Sequence, residues 1–106
     1  MLFKSESKNY RMQKRSDKDY RKQISPQQLS VSIKEIEKRL YERLEEKGYG
    51  AWLSRHEILG FLTEEYYEVI EAVHNQSTKE IKEELKDIAV GCIFAMSCID
   101  AKSLDW

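Results

Sequence analysis

Two acidic pairs repeat the same three-residue step, Glu65-x-x-Glu68 and Glu84-x-x-Asp87, on two stretches of helical periodicity separated by the polar turn His74–Thr78. A three-residue step on an α-helix places both side chains on one face, with Cβ atoms about 5–6 Å apart. So short a connection favours antiparallel neighbours, and antiparallel packing lets all four carboxylates converge on one point. Like charges cannot gather there uncompensated. The helices must therefore face each other across a cation, or turn these acids to solvent with Lys79, Lys82 and Lys86 as partners. Four hard oxygen donors suit Mg²⁺, with Mn²⁺ as a substitute, and Mg²⁺ in such a place usually holds phosphate.

The surrounding pattern sharpens the choice. At 100° per residue, Ile58, Leu59, Leu62, Tyr66, Val69, Ile70 and Val73 form a broad apolar arc, and Glu57, Glu64 and Glu71 fall on the opposite, solvated side. Glu65 and Glu68 share a stripe with Phe61 and Ala72, and Glu65 lies on the border of the apolar arc. A carboxylate forced toward a core has to be paired, protonated or metal-bound. On the next helix Ile81, Leu85, Ile88, Ala89, Cys92, Met96 and Ile99 form the expected inward stripe. Glu84 and Asp87 flank it, on a side that continues through Gly91, Phe94, Ala95 and Cys98. From Ile88 to Ile99 only Ser97 is clearly polar, and a helix apolar all round is buried on every side. Three helices cannot cover it, so the expectation is a homo-oligomer. Gly91 in mid-helix costs about 1 kcal/mol relative to Ala, which close approach of another helix would explain.

The rest of the chain reads as scaffold and arm. Ser25-Pro26-Gln27-Gln28 is a helix start, with Ser32-x-x-Glu35 as a second one. Ile33, Ile36, Leu40 and Leu44 make one amphipathic stripe that ends near Lys47-Gly48. This helix reads as structural, its Glu and Lys residues as a solvated face. Ser54-x-x-Glu57 and Ser77-x-x-Glu80 are capping boxes, the first placing a helix start at Arg55. Trp52 or Leu53 is a candidate staple at that start, and Trp52 with Tyr49 is alternatively a base-stacking wall.

Residues 1–24 carry eight Lys/Arg and three Asp/Glu, hence +5, so with a net charge of −1 residues 25–106 carry −6. The expected organisation is a basic arm, 1–24, and a helical domain, 25–106. The arm is either a solvated tail or a reach over a neighbouring site, bringing charge and Tyr10 and Tyr20 to phosphates or nucleic acid. Cys92 and Cys98, six apart on one helix, are too distant to bridge and read as small buried hydrophobes of a reducing compartment. With charge following Met1-Leu2-Phe3 at once and no apolar run of membrane length, the expected location is cytoplasmic. Glu71-x-x-His74 lacks the second such motif that a di-iron bundle requires. His56 and His74 support no Ser or Cys triad, and no Gly-rich phosphate loop is present.

Leu62–Ala72 (LTEEYYEVIEA) and Glu83–Ile88 (EELKDI) resemble the signature of the MazG-like all-α nucleotide pyrophosphohydrolases: E-E-x-x-E, a variable connection, then E-E-x-x-D opening an apolar helix. The resemblance extends from Trp52 to Ile99. It implies an all-α bundle, assembled as a homodimer or a dimer of dimers. It also implies Mg²⁺-dependent cleavage of a nucleoside triphosphate to monophosphate and pyrophosphate, in the service of nucleotide-pool housecleaning. Carried over by position, Glu65, Glu68, Glu84 and Asp87 would be the metal ligands, and Glu64 would work beside Glu65 and Glu68 in orienting water or a second metal. Members of that family continue into a further helix whose basic and Asn residues contact substrate. Here Asp100–Trp106 offers only Lys102, which joins Trp52 as a substrate-contact candidate. Either the basic arm replaces that helix or part of the site is missing. The competing reading is a non-catalytic oligomeric module that binds nucleic acid or a protein partner through the arm.

Overall fold

A computed structural model describes residues 21–105, and these contain three α-helices and no strand. They are α1, Pro26–Lys47, α2, Arg55–His74, and α3, Thr78–Asp100. The all-α expectation is met. Most of the expected basic arm, residues 1–20 with Tyr10 and Tyr20, lies outside the described residues. The chain divides between Ser30 and Val31 into two units. The first contributes the start of α1, where a reciprocal capping box forms: the Gln28 amide donates to Ser25 Oγ at 3.1 Å and the Ser25 amide to Gln28 Oε1 at 3.0 Å. Of the two candidate starts the chain uses Ser25, whose Pro26 needs no amide partner in a first turn.

In the second unit α2 begins at Arg55 under the full Ser54/Glu57 capping box. α3 begins at Thr78, with the Glu80 amide donating to Ser77 Oγ at 3.2 Å. α1 stops at Lys47, where Gly48 takes φ +88°, a left-handed conformation that glycine adopts without strain. α2 and α3 pack closely, and the Phe61 ring lies so near Gly91 that a Cβ there would overlap it. The close approach expected at Gly91 therefore comes from α2 of the same chain. α1 reaches α3 through long side chains, with Lys82 to Glu35 at 3.2 Å and Lys86 to Glu35 at 3.8 Å.

The packing corrects which faces turn inward. On α3 the buried residues are Val90, Gly91, Ala95 and Cys98, while Leu85, Cys92, Met96 and Ile99 of the expected inward stripe are exposed. On α2 Ala72 is buried and Phe61 and Glu65 are half-buried, while Leu59, Leu62, Tyr66 and Val73 of the expected arc are exposed. The physical reason is size. Small residues, Ala72 on α2 and Gly91, Ala95 and Cys98 on α3, let two backbones approach, and the bulkier apolar stripes are left pointing outward. Cys92 is accordingly exposed, and Cys98 alone behaves as a buried cysteine.

The α1–α2 connection is tied down by the residues after α3. Ser103 Oγ donates to the Trp52 carbonyl at 2.7 Å, the Asp105 amide to the Leu53 carbonyl at 2.8 Å, and the Trp52 amide to Cys98 Sγ at 3.3 Å. Trp52 is thereby held against Phe61 and Phe94, with ring centroids 5.6 and 5.2 Å away. No helix among the described residues is long and apolar enough to cross a membrane.

Candidate metal centre

The α2–α3 seam carries the acids with it. Because Phe61, Glu65, Glu68 and Ala72 recur at three- and four-residue steps, packing Phe61 on Gly91 also turns Glu65 toward α3. Glu84, Asp87 and Gly91 recur in the same way on α3. One carboxylate oxygen from each of Glu65, Glu84 and Asp87 falls in a group whose members all lie within 4.8 Å of one another. All three side chains are half-buried. Glu68, one turn along α2, is exposed but close enough to act on both Glu65 and Glu84.

The electrostatics follow from this crowding. Burial, then the charges of Glu68, Asp87 and Glu84, push the Glu65 carboxyl up from 4.5 to about 7. Burial and Glu68 also raise Glu84 above the usual carboxylate range. Oε1 of Glu65 and Oε1 of Glu84 are buried without a hydrogen-bond partner. Lone pairs withdrawn from water and left unmatched are costly, and hard oxygen donors in that condition fit Mg²⁺ or Mn²⁺. The residues present therefore suit a divalent cation, which Glu65, Glu84 and Asp87 could hold.

Two residues that sequence reasoning treated as scaffold complete the centre. Arg39 of α1 donates to Asp87 Oδ1 at 2.6 Å and to Glu83 Oε1. Arg43 donates to the same Asp87 oxygen at 3.2 Å and to Glu46 Oε1 at 3.2 Å. Hydrogen bonds to these acids raise both guanidinium pKa values further above their ordinary range. The partners of this acidic seam are thus arginines of α1 and not the expected lysines: Lys82 and Lys86 pair with Glu35 and Glu83. The signal was present in the sequence, since Arg39, Arg43 and Lys47 stand four residues apart and so share one helix face.

Beside the carboxylates opens a cleft of about 510 Å³, lined on the polar side by Arg43, Lys47, Glu64, Glu65 and Asp87. Its apolar wall includes Trp52, Phe61 and Phe94. Trp52 and Glu64, both singled out from sequence, border this cleft. Lys102 does not. It sits in a separate groove with Arg55, Ile58, Leu59, Leu62, Ile99 and Leu104, because the turn that ends α3 carries it there with φ +58°.

Residues 53–104 match the family model of the MazG nucleotide pyrophosphohydrolase domain. No curated protein and no solved structure matches the chain. The matched segment runs from the residue before the α2 cap to the residues that tie down Trp52, and so contains both acidic pairs and the seam that joins them. Over this segment, just under half of the chain, the protein is similar to the MazG nucleotide pyrophosphohydrolase domain, whose all-α character its described residues share.

Proposed function

We propose that this protein is a Mg²⁺-dependent nucleoside triphosphate pyrophosphohydrolase, releasing monophosphate and pyrophosphate. The observation that carries the reading is the convergence of Glu65, Glu84 and Asp87, two of them with orphaned buried oxygens, inside the segment that matches the family. Glu65, Glu68, Glu84 and Asp87 would hold the cation, for which Mn²⁺ is a substitute. Bound there, it supplies positive charge against the phosphate oxygens and acidifies water for attack on the phosphoanhydride.

The chain's own residues do the remainder. Arg39, its guanidinium held between Glu83 and Asp87, fixes the rotamer of Asp87. Glu64, exposed at the rim of the cleft, would orient the attacking water and take its proton. Trp52, Phe61 and Phe94 form an apolar wall, which offers a face for a base and lowers the local dielectric around the charges.

The assembly belongs to the same reading. Leu59, Leu62, Tyr66, Leu85, Met96 and Ile99 are large apolar residues exposed in the single chain, and apolar surface exposed on this scale marks protein interfaces. A homodimer or a dimer of dimers would cover it, in a cytoplasmic protein acting on nucleotide pools. The deciding experiment is pyrophosphate release from a panel of ribo- and deoxyribonucleoside triphosphates, in Mg²⁺ and in EDTA. Metal-dependent release with monophosphate as co-product is expected. No release from any nucleotide, with folded protein, would overturn the proposal.

A further inference from the structure

The carboxylates account for a cation, but a polyphosphate needs positive charge on its other side as well. α1 is the element that brings it. Leu44, Lys47 and Gly48 put the C-terminal end of α1 at the cleft, where the helix dipole is negative and repels anions. Backbone amides therefore cannot hold phosphate there, and side-chain cations must.

The α1 stripe divides that work by depth. The Arg39 side chain is 17 % exposed and its guanidinium is engaged by Glu83 and Asp87. Arg43, 39 % exposed, lines the cleft, contacts Asp87 across it and, among the described residues, otherwise pairs only with Glu46, itself 61 % exposed. Lys47, one turn further, lines the same cleft and forms no ion pair among the described residues. A ligand whose phosphates bridge from the carboxylate-bound cation toward α1 meets Arg43 first and Lys47 next.

We propose that Arg43 and Lys47 are the phosphate-binding cations of this site, a role that sequence alone left to Lys102 or to the amino-terminal arm. The proposal rests on the pyrophosphohydrolase reading and adds to it the side of the cleft from which phosphate is gripped. Arg43, on giving up its contact with the exposed Glu46, turns one nitrogen of its fork to a phosphoryl oxygen, and Lys47 acts as a mobile point charge.

Inorganic pyrophosphate with Mg²⁺ is the probe, titrated calorimetrically into the full-length wild type and into Arg43→Ala, Lys47→Ala and Lys38→Ala. Lys38 is the control, on the same helix with a side chain 80 % exposed. Loss of one charged hydrogen bond should weaken pyrophosphate binding about ten- to a hundredfold in each of the first two variants and leave Lys38→Ala unchanged. The KM for a nucleoside triphosphate should rise in parallel, with helix content by circular dichroism intact. If wild-type protein hydrolyses nucleotides while Arg43→Ala and Lys47→Ala keep both pyrophosphate affinity and KM within about twofold, well short of one charged hydrogen bond, the α1 assignment is wrong and the enzyme reading stands. If wild-type protein neither binds pyrophosphate nor hydrolyses any nucleotide, both are wrong together.

Discussion

The seam between α2 and α3 and the outer faces of the same two helices have exchanged the usual roles. The seam holds Glu65, Glu84 and Asp87 half-buried, with two carboxylate oxygens that have no hydrogen-bond partner among the described residues. The outer faces hold Tyr66 at 63 % and Met96 at 64 % exposure. In an ordinary helical pair the apolar stripe would sit inside and the acids outside. The inversion fits the proposal that a cation enters between these helices and that a second copy of the chain covers their outer faces.

The largest effect should come from the seam, and it should have two opposite signs. Glu84→Gln or Asp87→Asn is expected to lower turnover by about 10²–10³-fold or more. Glu84→Gln should at the same time raise the melting temperature of the metal-free protein, because it removes a repelled, desolvated charge. Asp87→Asn should not, because it removes the negative charge that Arg39 and Arg43 share. Thermal melts in EDTA separate the two variants. If Glu84→Gln melted lower than wild type, the seam acids would be stabilising and the contrast drawn above would fail.

Next in size is the outer face. Leu62 borders two apolar grooves, one with Tyr66, Val69 and Ile88 and one with Ile58, Leu59 and Ile99. Leu62→Asp forfeits the burial of one large side chain at each copy of an interface, about 1.5–3 kcal/mol, before the cost of the new charge. Light scattering at micromolar concentration should then show the oligomer falling to monomer, with helix content retained. A wild type already monomeric under those conditions would leave the exposed stripe without a partner of its own kind.

How much of this was visible beforehand depends on what sets each feature. Helix starts at Pro26, Arg55 and Thr78 are local, written in Ser25, Ser54 and Ser77 and the residues three positions later, so sequence suffices. The acidic pairs were visible for the same reason, as spacing within one helix. The inward face was misjudged because hydropathy ranks side chains by size as well as polarity. The contest was won instead by smallness at Ala72, Gly91 and Ala95. Arg39 and Arg43 were missed because their partners lie 48 and 44 residues away, and a cation on a helix border looks like any solvated one. Their four-residue repeat with Lys47 was the available clue.

Gly91→Ala tests the close packing that creates the seam. The new methyl would overlap the Phe61 ring, and overpacking of this kind costs about 1–3 kcal/mol. The expected outcome is a lower melting temperature and weaker metal binding together, since Phe61 and Glu65 ride on the same face of α2. An unchanged or higher melting temperature, as helix propensity alone would give, would show that the two helices stand farther apart.

The smallest effect is graded and reports on the seam without altering it. The Glu65 carboxyl titrates at about 7 in the folded chain against 4.5 for the unperturbed group, and Glu84 is raised in the same direction. Between these values the native state keeps a proton that the unfolded chain has already lost. Stability of the metal-free protein must then fall as pH rises from about 4.5 toward 7 and level off above it. Glu83, lowered by Arg39, contributes with the opposite sign and only as pH drops below the ordinary carboxylate range. Mg²⁺ competes with those protons, so its stabilisation of the folded state should grow over the same interval and offset the decline. Melts from pH 5 to 8 in EDTA and in Mg²⁺ read both slopes, and Glu65→Gln should flatten the EDTA curve. A metal-free profile that is level between pH 5 and 7 in the wild type would mean the acids are solvated after all, and that the inside of this pair resembles the outside of any other.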